Sequence, residues 1–314
     1  MPTNSIDDSH QGNQGGGRSK RHAGQSSHEA DNGRPLAAGL YVVATPIGNA
    51  ADISLRALDV LRGAHVVACE DTRTTGKLLA MHGIKARLTA YHEHNAERAR
   101  PALLERLKRG EAVALVSDAG TPLISDPGYR LVGEAHHAGA TVTPVPGASA
   151  PIAALSIAGL PTDRFLFAGF LPNRSGPRKR AIAELADVPA TLVLLESARR
   201  LAACLTDLAD LLGPRQAAVT RELTKRFEEV RRGTLGGLAA HYDDAGPPKG
   251  EIVLVIAPPD NAAAATLDQA TIDGLLQDAL ATLSLRDAAA AVAADTGLPR
   301  RRLYNRALEL KSGQ

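Results

Sequence analysis

The sequence predicts an α/β protein with two sheet-containing domains followed by a small helical module. From residue 40 onward, short apolar runs alternate with longer amphipathic stretches, a pattern typical of βαβ units around a parallel sheet. The chain has 314 residues, more than one domain usually holds. The end of the chain lacks strand-like runs and shows only helical patterns. We therefore expect α/β domains at 39–149 and 150–260 and a helical module at 261–314.

Residues 1–38 are rich in Gly, Ser, Asn, Gln and His and contain little that could be buried. We expect a disordered tail there. The tail lacks the apolar segment of a signal peptide, and no stretch of the chain approaches the length of a membrane span. The two cysteines, Cys69 and Cys204, lie in apolar stretches and form no CxxC pair, which argues against a disulfide framework. The sequence thus predicts a cytoplasmic protein with no membrane partner.

Composition limits how the chain can bind nucleic acid. The net charge is +2, from 36 basic and 34 acidic side chains, so the protein is not coated with positive charge. The chain has four Phe, five Tyr and no Trp, so stacking on aromatic side chains is not its main way of holding bases. Any contact with nucleic acid must come from local patches.

The first domain is predicted to contain five strands and four helices in alternation. The strands are expected at 40–45, 65–69, 86–91, 112–117 and 141–145, and the helices near 54–62, 74–82, 96–109 and 129–138. The run 112–117 has no polar alternation, which predicts a strand covered on both faces. It ends in a Gly-, Pro-, Ser- and Asp-rich loop, 118–128, longer than an ordinary strand-to-helix connection of about 2–6 residues.

The loops that follow four of these strands are expected to form a ligand cradle. They are 45–49, 70–73, 118–128 and 146–149, and in a parallel sheet they lie at the same edge, where ligands bind. Neither GxGxxG nor GxxxxGK[ST] occurs, which disfavours a nucleoside triphosphate or NAD. An adenosyl ligand without phosphates would instead need backbone contacts and carboxylates. The alternative for 118–128 is an ordinary connection.

The second domain is predicted to have a mixed sheet, because its short connections after residue 213 suit hairpins. Strands are expected at 165–170, 191–195, 216–220, 229–232 and 251–256, and helices at 177–185 and 199–212. In the C-terminal module, a helix at 285–296 is expected to begin after Ser284 and stop at Gly297, and Pro299 to open a second helix. Two helices around a tight Gly turn are typical of a helix-turn-helix.

Two groups of basic residues are candidates for contact with RNA phosphates. One follows the GFLP sequence in a loop, and the other lies on the last predicted helix. The candidates are Arg174, Arg178, Lys179 and Arg180 in the loop and Arg300, Arg301, Arg302, Arg306 and Lys311 on the helix. A solvated basic face is an equally good interpretation of each group.

Six motifs together resemble the tetrapyrrole methylase superfamily, the class III methyltransferases. They are TPIGN, EDTR, LVSDAGTPLISDPGY, GLPTDRF followed by GFLP, RELTK and KGE, and they run in order from about residue 40 to 258. Within the superfamily they are most similar to the branch that methylates small-subunit ribosomal RNA, whose appended helix-turn-helix the C-terminal helices also resemble. One departure is Glu-Ser-Ala-Arg-Arg at 196–200, where the family commonly has Glu-Ser-x-His-Arg.

The resemblance implies a homodimeric two-domain enzyme with S-adenosylmethionine bound in the cleft between its domains. It implies methyl transfer to the ribose 2′-oxygen of a cytidine in the decoding region of 16S rRNA, free or in the small ribosomal subunit. The alternative within the superfamily is methylation of a corrin or porphyrin precursor, against which EDTR and the C-terminal module argue. An alternative of another class is a non-catalytic ribosome-binding protein that keeps an adenosyl pocket.

Motif matching assigns the cofactor to loops of both domains. In the first domain the predicted contacts are Pro46, Ile47, Gly48, Asp118, Ala119, Gly120, Ser125, Asp126, Pro127, Gly128, Pro146, Gly147, Ala148 and Ser149. In the second they are Glu196, Arg221, Lys249, Gly250 and Glu251.

Glu70, Asp71 and Arg73 of EDTR are the candidate catalytic residues. A ribose hydroxyl is a poor nucleophile, so a base or a group that stabilises developing negative charge is expected. Glu70 and Asp71 are candidates for proton acceptor or ribose anchor, and Arg73 for phosphate binding or charge stabilisation. The alternative is that Asp71 or Thr72 caps the helix that follows, and one residue can do both. No metal is expected, because His92 and His94 have no third ligand nearby.

Overall fold

The computed structural model describes residues 36–124, 128–259, 269–296, 298 and 300–312. The predicted disordered tail at 1–38 therefore lies outside the described residues except for its last three positions. The predicted contacts of Ser125, Asp126 and Pro127, the roles of Gly297 and Pro299, and the side chain of Arg301 also lie outside them.

The first sheet has five parallel strands in the order β3-β2-β4-β1-β5. They are β1 (Gly39–Val43), β2 (Val66–Cys69), β3 (Leu88–Ala90), β4 (Ala112–Val116) and β5 (Val142–Val145). The intervening helices are α1 (Leu55–Gly63), α2 (Thr72–Met81), α3 (Ala96–Lys108) and α4 (Tyr129–His137). All nine elements were predicted, and only their ends differ.

The central strand β4 is buried on both faces, as its apolar run predicted. On one face, Ala112, Ala114 and Val116 pack toward α1 and α2 in a core cluster that includes Leu61 of α1. Val113 and Leu115 point to the opposite face and pack with Leu131 of α4. Because every strand is parallel, the loops after β1, β2, β4 and β5 lie at one edge of the sheet.

The second sheet is mixed, which confirms the prediction from short connections. Its strands are β6 (Phe165–Phe170), β7 (Thr191–Ser197), β8 (Gln216–Arg221), β9 (Glu229–Thr234) and β10 (Glu251–Ile256). Their order is β6-β7-β10-β8-β9. Only β6 and β7 pair in parallel; the other pairs are antiparallel.

Helices cover both faces of this second sheet. On one face, which we call the helix face, lie α6 (Ser175–Leu185), α7 (Leu201–Leu212) and α8 (Leu235–Ala245). On the other lies α5 (Ala150–Ile157), whose Ala154 and Leu155 pack with residues of β7, β8 and β10. The sequence did not predict α8, because two consecutive glycines weaken its helical pattern. Burial of Leu235, Leu238 and Tyr242 stabilises it instead.

The C-terminal module contains α9 (Gln269–Leu280), α10 (Leu285–Thr296) and α11 (Arg300–Ser312). The predicted pair of helices is present, and the Ser284 hydroxyl accepts a hydrogen bond from the Asp287 amide, as an N-cap does. The additional helix, α9, is joined to α11 by an ion pair in which Arg306 donates to both oxygens of Asp273, at 2.7 and 2.6 Å. This contact lowers the pKa of Asp273 to about 2. The domain limits at residues 149 and 260 remain predictions.

An ion pair joins α6 to α7 under the helix face. Arg178 donates to Oδ2 of Asp207 from Nε at 2.7 Å and from Nη2 at 2.6 Å. The two side chains are only 5% and 8% exposed. Ser175 donates a further hydrogen bond to the same carboxylate. Both charges are therefore satisfied inside the fold.

We predict that Arg178→Ala destabilises the protein by about 3–5 kcal/mol, because it leaves the Asp207 carboxylate buried without its partner. Urea unfolding followed by circular dichroism measures the change. The matched control is Arg180→Ala on the same helix, where the side chain is exposed. That substitution should alter the free energy of unfolding by no more than about 0.5 kcal/mol. Equal effects of the two substitutions would contradict a structural role for Arg178.

Candidate active site

A cavity of about 430 Å³ lies between the strand-end loops of the first sheet and the ends of β6, β7 and β10. Most of its walls are apolar. The lining residues are Ile47, Ala119, Gly120, Thr121, Ile124, Ser149, Ala150, Pro151, Phe170, Leu195, Glu196, Ser197, Ala198, Gly250, Glu251, Ile252 and Val253. The charged members of this set are two glutamates, and no Lys or Arg of the described chain belongs to it.

The segment Asp118–Thr121, directly after β4, is bonded to the three other strand-end loops. Gly120 and Thr45 exchange two backbone hydrogen bonds, at 2.9 and 3.0 Å, which joins the segment to the loop after β1. The Thr121 hydroxyl donates to the carbonyl of Ala148, at 3.0 Å, in the loop after β5. Asp118 Oδ1 accepts from the Asp71 amide, at 3.0 Å, in the loop after β2. One short segment thus holds together the loops after β1, β2, β4 and β5.

The loop after β1 also contacts the loop 222–228 between β8 and β9. The Asn49 amide donates to the Thr224 hydroxyl at 3.1 Å. A Cβ at Gly48 would lie 2.4 Å from Lys225 Cγ and 2.8 Å from Thr224 Oγ1, so only glycine permits this approach. Lys225 bonds Glu222 and Glu251, both at 2.9 Å, which holds the loop to β10. These contacts connect the two walls of the cavity.

Seven of the predicted cofactor residues line the cavity: Ile47, Ala119, Gly120, Ser149, Glu196, Gly250 and Glu251. Others belong to the same loops or strand ends without lining it: Pro46, Gly48, Asp118, Gly128, Pro146, Gly147, Ala148, Arg221 and Lys249. Sequence reasoning missed ten lining residues: Thr121, Ile124, Ala150, Pro151, Phe170, Leu195, Ser197, Ala198, Ile252 and Val253. Thr121 and Ile124 lie in the motif LVSDAGTPLISDPGY, and Phe170 lies in GFLP, so a signal for these three was present in the sequence. Leu195 and Val253 resemble ordinary strand residues and carry no such signal.

Two of the predicted cofactor residues use their side chains to brace the fold. The Glu196 carboxylate is 1% exposed and accepts from Arg200, with Nε at 2.7 Å and Nη2 at 2.5 Å. It lies near Cys204 of α7, whose pKa is raised by burial and by the Glu196 charge. Arg221 pairs with Glu229 at 2.9 Å. Glu196 therefore borders the cavity while its carboxylate is held on the helix face.

Within EDTR, Asp71 caps α2, which confirms the structural alternative. Its Oδ1 accepts from the Arg73 amide at 2.8 Å, and its Oδ2 pairs with Arg73 Nη2 at 2.7 Å. The hydrogen bonds from Arg73 lower the pKa of Asp71 to about 2. A carboxylate of such low basicity is a weak proton acceptor. Glu70 is partly exposed, and no hydrogen bond or ion pair to its side chain occurs within the described ranges.

The prediction for one of the basic residues after GFLP is wrong. Arg178 was predicted to contact RNA, but it is buried against Asp207 and its guanidinium has no access to a ligand. Sequence alone does not separate it from Arg180, which is exposed together with Arg174. Lys179 is half exposed and bonds Asp210 at 3.0 Å. In the module, Arg300, Arg302 and Lys311 are exposed, whereas the candidate Arg306 is paired with Asp273.

Within the described ranges, no group of three or more His, Cys, Asp or Glu side chains is placed to hold a metal ion. No helix in the same part of the chain is long and apolar enough to cross a membrane.

The architecture is shared with solved structures of low sequence identity. Diphthine synthase shares the fold with a TM-score of 0.54 at 20% identity, over 69% of this chain and 89% of that one. The uroporphyrin-III-C-methyltransferase of Thermus thermophilus does so with a TM-score of 0.52 at 24% identity, over 74% of this chain and 100% of that one. The predicted class III methyltransferase fold is thereby confirmed.

Sequence comparison narrows the class. The family described as "Tetrapyrrole (Corrin/Porphyrin) Methylases" matches residues 39–239, and the one described as "RsmI C-terminal HTH domain" matches residues 266–311. Ribosomal RNA small subunit methyltransferase I of Mesorhizobium japonicum is 55% identical over 279 residues, 88% of this chain and 94% of that protein. Its counterpart in Escherichia coli O157:H7 is 46% identical over 86% of this chain and 94% of that protein. The chain belongs to the tetrapyrrole methylases and, among them, to the ribosomal RNA small subunit methyltransferase I family.

We predict that Arg73→Ala raises the pKa of Asp71 from about 2 toward the ordinary value of about 3.9, because it removes the guanidinium hydrogen bonds. In the intact protein, stabilisation from this pair is present above the ordinary pKa and is lost as pH falls toward the lowered one. Carboxyl titration by NMR measures the shift. Arg130→Ala, which removes an exposed arginine that pairs with Glu97, is the control and should leave Asp71 unchanged. An Asp71 pKa that stays low in Arg73→Ala would refute the assignment.

Proposed function

We propose that this protein uses S-adenosylmethionine to methylate the ribose 2′-oxygen of a cytidine in the decoding region of 16S rRNA, the position written C1402. The observation that carries the cofactor assignment is the cavity between the two sheets. Its apolar walls suit an adenine ring and a methionine side chain. None of its described lining residues is Lys or Arg, so the cavity lacks the positive charge that the phosphates of a dinucleotide would need.

In this proposal, the cofactor is held by residues of both walls. Ile47, Gly120 and Ser149 contribute from the first sheet and α5, and Gly250 and Glu251 from the start of β10. S-adenosylmethionine supplies an electrophilic methyl group on sulfur. Transfer requires the nucleophile in line with that bond, so most of the rate gain comes from orientation by a rigid site.

EDTR supplies the groups that handle the ribose hydroxyl. Glu70 is the proposed proton acceptor, because Asp71 is committed to the cap of α2 and to Arg73. The Arg73 side chain is 86% exposed, and Asp71 fixes its orientation, so we assign it to an RNA phosphate. Asp118 links these groups to the cofactor loop through the Asp71 amide. The site proposed for the methyl donor and the site proposed for the ribose are thus connected by one hydrogen bond.

The RNA contacts outside the cavity are assigned to the exposed Arg174 and Arg180 and the half-exposed Lys179 in the second domain, and to the exposed Arg302 in the C-terminal module. The sequence pattern assigns Arg301 to the same group. We further propose a homodimer that acts in the cytoplasm on the small ribosomal subunit or its 16S rRNA. The family name of the relatives supports the RNA substrate.

We predict that 16S rRNA from cells lacking this gene is missing one 2′-O-methylcytidine. The purified protein with S-adenosylmethionine should restore it to small subunits or rRNA from those cells. Mass spectrometry of nuclease fragments locates the methyl group. Unchanged ribose methylation in the deletion strain, or methyl transfer to a porphyrin or corrin precursor instead, would contradict the proposal.

A test variant and a control variant examine the role of Glu70 in the same assay. Glu70→Gln removes the proposed proton acceptor and should slow methyl transfer by about 10²-fold or more while leaving cofactor affinity unchanged. Glu105→Gln alters an exposed glutamate on α3 that pairs with Lys108, and should have full activity.

A further inference from the structure

Phe170 is an exposed aromatic residue in the wall of the cavity. Its side chain is 59% exposed, whereas Leu195, Ile252 and Val253 of the same wall are buried or partly buried. Phe170 is the only aromatic among the described lining residues. A large ring left open to solvent at the mouth of a cavity has unfilled apolar surface.

A β-bulge turns Phe170 toward the cavity. Along β6, Phe167 lies opposite Val193 of β7, but Gly169 lies opposite the next residue, Leu194, so Ala168 is an extra residue. After the bulge, Phe170 lies opposite Leu195, which lines the cavity. Residues opposite each other in a sheet point to the same face. Phe170 therefore faces the cavity together with Leu195.

Without the bulge, the ring would be buried. Leu166 and Ala168 both pack into the core of the helix face, and regular alternation would direct residue 170 there as well. Instead, Leu171 takes that place and is 5% exposed. Gly169 permits the change because its φ of 63° is in the left-handed region. The bulge thus places at the cavity an aromatic ring that regular alternation would direct into the core.

The segment after Phe170 is fixed by the network around Glu196. Arg200, paired with Glu196, donates to the carbonyl of Leu171 at 3.5 Å and to the side chain of Asn173. The direction of Phe170 is therefore determined by the bulge before it and by an anchored loop after it. The Glu196 carboxylate, through Arg200, thus braces the segment that follows Phe170.

We propose that Phe170 is the stacking surface for the unpaired base of the target nucleotide, an inference that rests on the proposed function. Proteins that act on one nucleotide of a folded RNA splay out its base and stack it on an aromatic side chain. The ring lies at the exposed mouth, where RNA arrives, and the buried walls remain for the cofactor. The chain has only four Phe, five Tyr and no Trp. Among the described lining residues it therefore offers one aromatic ring for stacking rather than a platform of several.

Two exposed arginines lie close in sequence to residues of the cavity wall. Arg174 follows the anchored loop, and Arg199 directly follows Ala198 of the cavity wall. Both are exposed, and neither side chain has an ion pair or hydrogen bond within the described ranges. Free guanidinium groups beside a stacking ring are suited to the phosphates that flank a splayed base.

The test compares Phe170→Ala, Phe170→Tyr and the matched control Phe165→Ala. Phe165 is on the same strand, 43% exposed, at the end remote from the cavity. We expect Phe170→Ala to lower kcat/KM for methylation of small subunits about 5- to 150-fold, the range of one lost base–aromatic stack. Phe170→Tyr should retain most activity and Phe165→Ala all of it. The Kd for S-adenosylmethionine, measured by calorimetry, should be unchanged in all three.

Three results would overturn the inference while wild-type protein still methylates rRNA. Full kcat/KM in Phe170→Ala would show that the ring does not contact the substrate. An equal loss of S-adenosylmethionine affinity would assign the ring to the cofactor. A change of sedimentation coefficient to that of a smaller species would assign it to an interface between copies of the chain. Wild-type protein that transfers no methyl group to rRNA would instead remove the proposed function itself.

Discussion

Hydrogen bonds from the segment Asp118–Thr121 to three neighbouring loops are the contacts on which the site depends. A parallel sheet aligns its strand ends, but beyond those ends the ladder of backbone bonds stops and the loops have no fixed partners. Here Gly120, Thr121 and Asp118 each provide one connection, to Thr45, to the loop after β5 and to the Asp71 amide. Each bond contributes modestly to stability, about 0.5–1.5 kcal/mol, yet together they organise the loops before a ligand arrives.

The second sheet joins this framework at one close contact, between the loop after β1 and the loop that contains Thr224 and Lys225. This contact and the ion pairs of Lys225 connect the two walls of the cavity directly. In the proposed function the roles divide by position: the inner walls hold the methyl donor, EDTR handles the ribose hydroxyl, and the rim around Phe170 meets the RNA. Asp118 connects the first two of these, because its carboxylate holds the amide of the residue that orients Arg73.

Local patterns in the sequence predicted what depends on local physics. Apolar runs located every strand, the unbroken run at 112–117 predicted a strand covered on both faces, and the acidic residue before α2 was correctly considered as its cap. Features that depend on distant partners were not readable. Arg178 and Arg180 look alike in sequence, but Asp207, 29 positions away, buries only the first. The direction of Phe170 depends on a bulge that only the register with β7 reveals.

The central role of Asp118 is tested most directly by comparing Asp118→Ala with Asp59→Ala. The control substitution removes an exposed carboxylate on α1. Backbone amide exchange at Asp71 and calorimetric binding of S-adenosylmethionine are followed in both. If Asp118 organises the site, its substitution accelerates exchange of the Asp71 amide by about tenfold or more, the loss of one protecting bond, and abolishes cofactor binding. Exchange and affinity equal to those of Asp59→Ala would contradict the account.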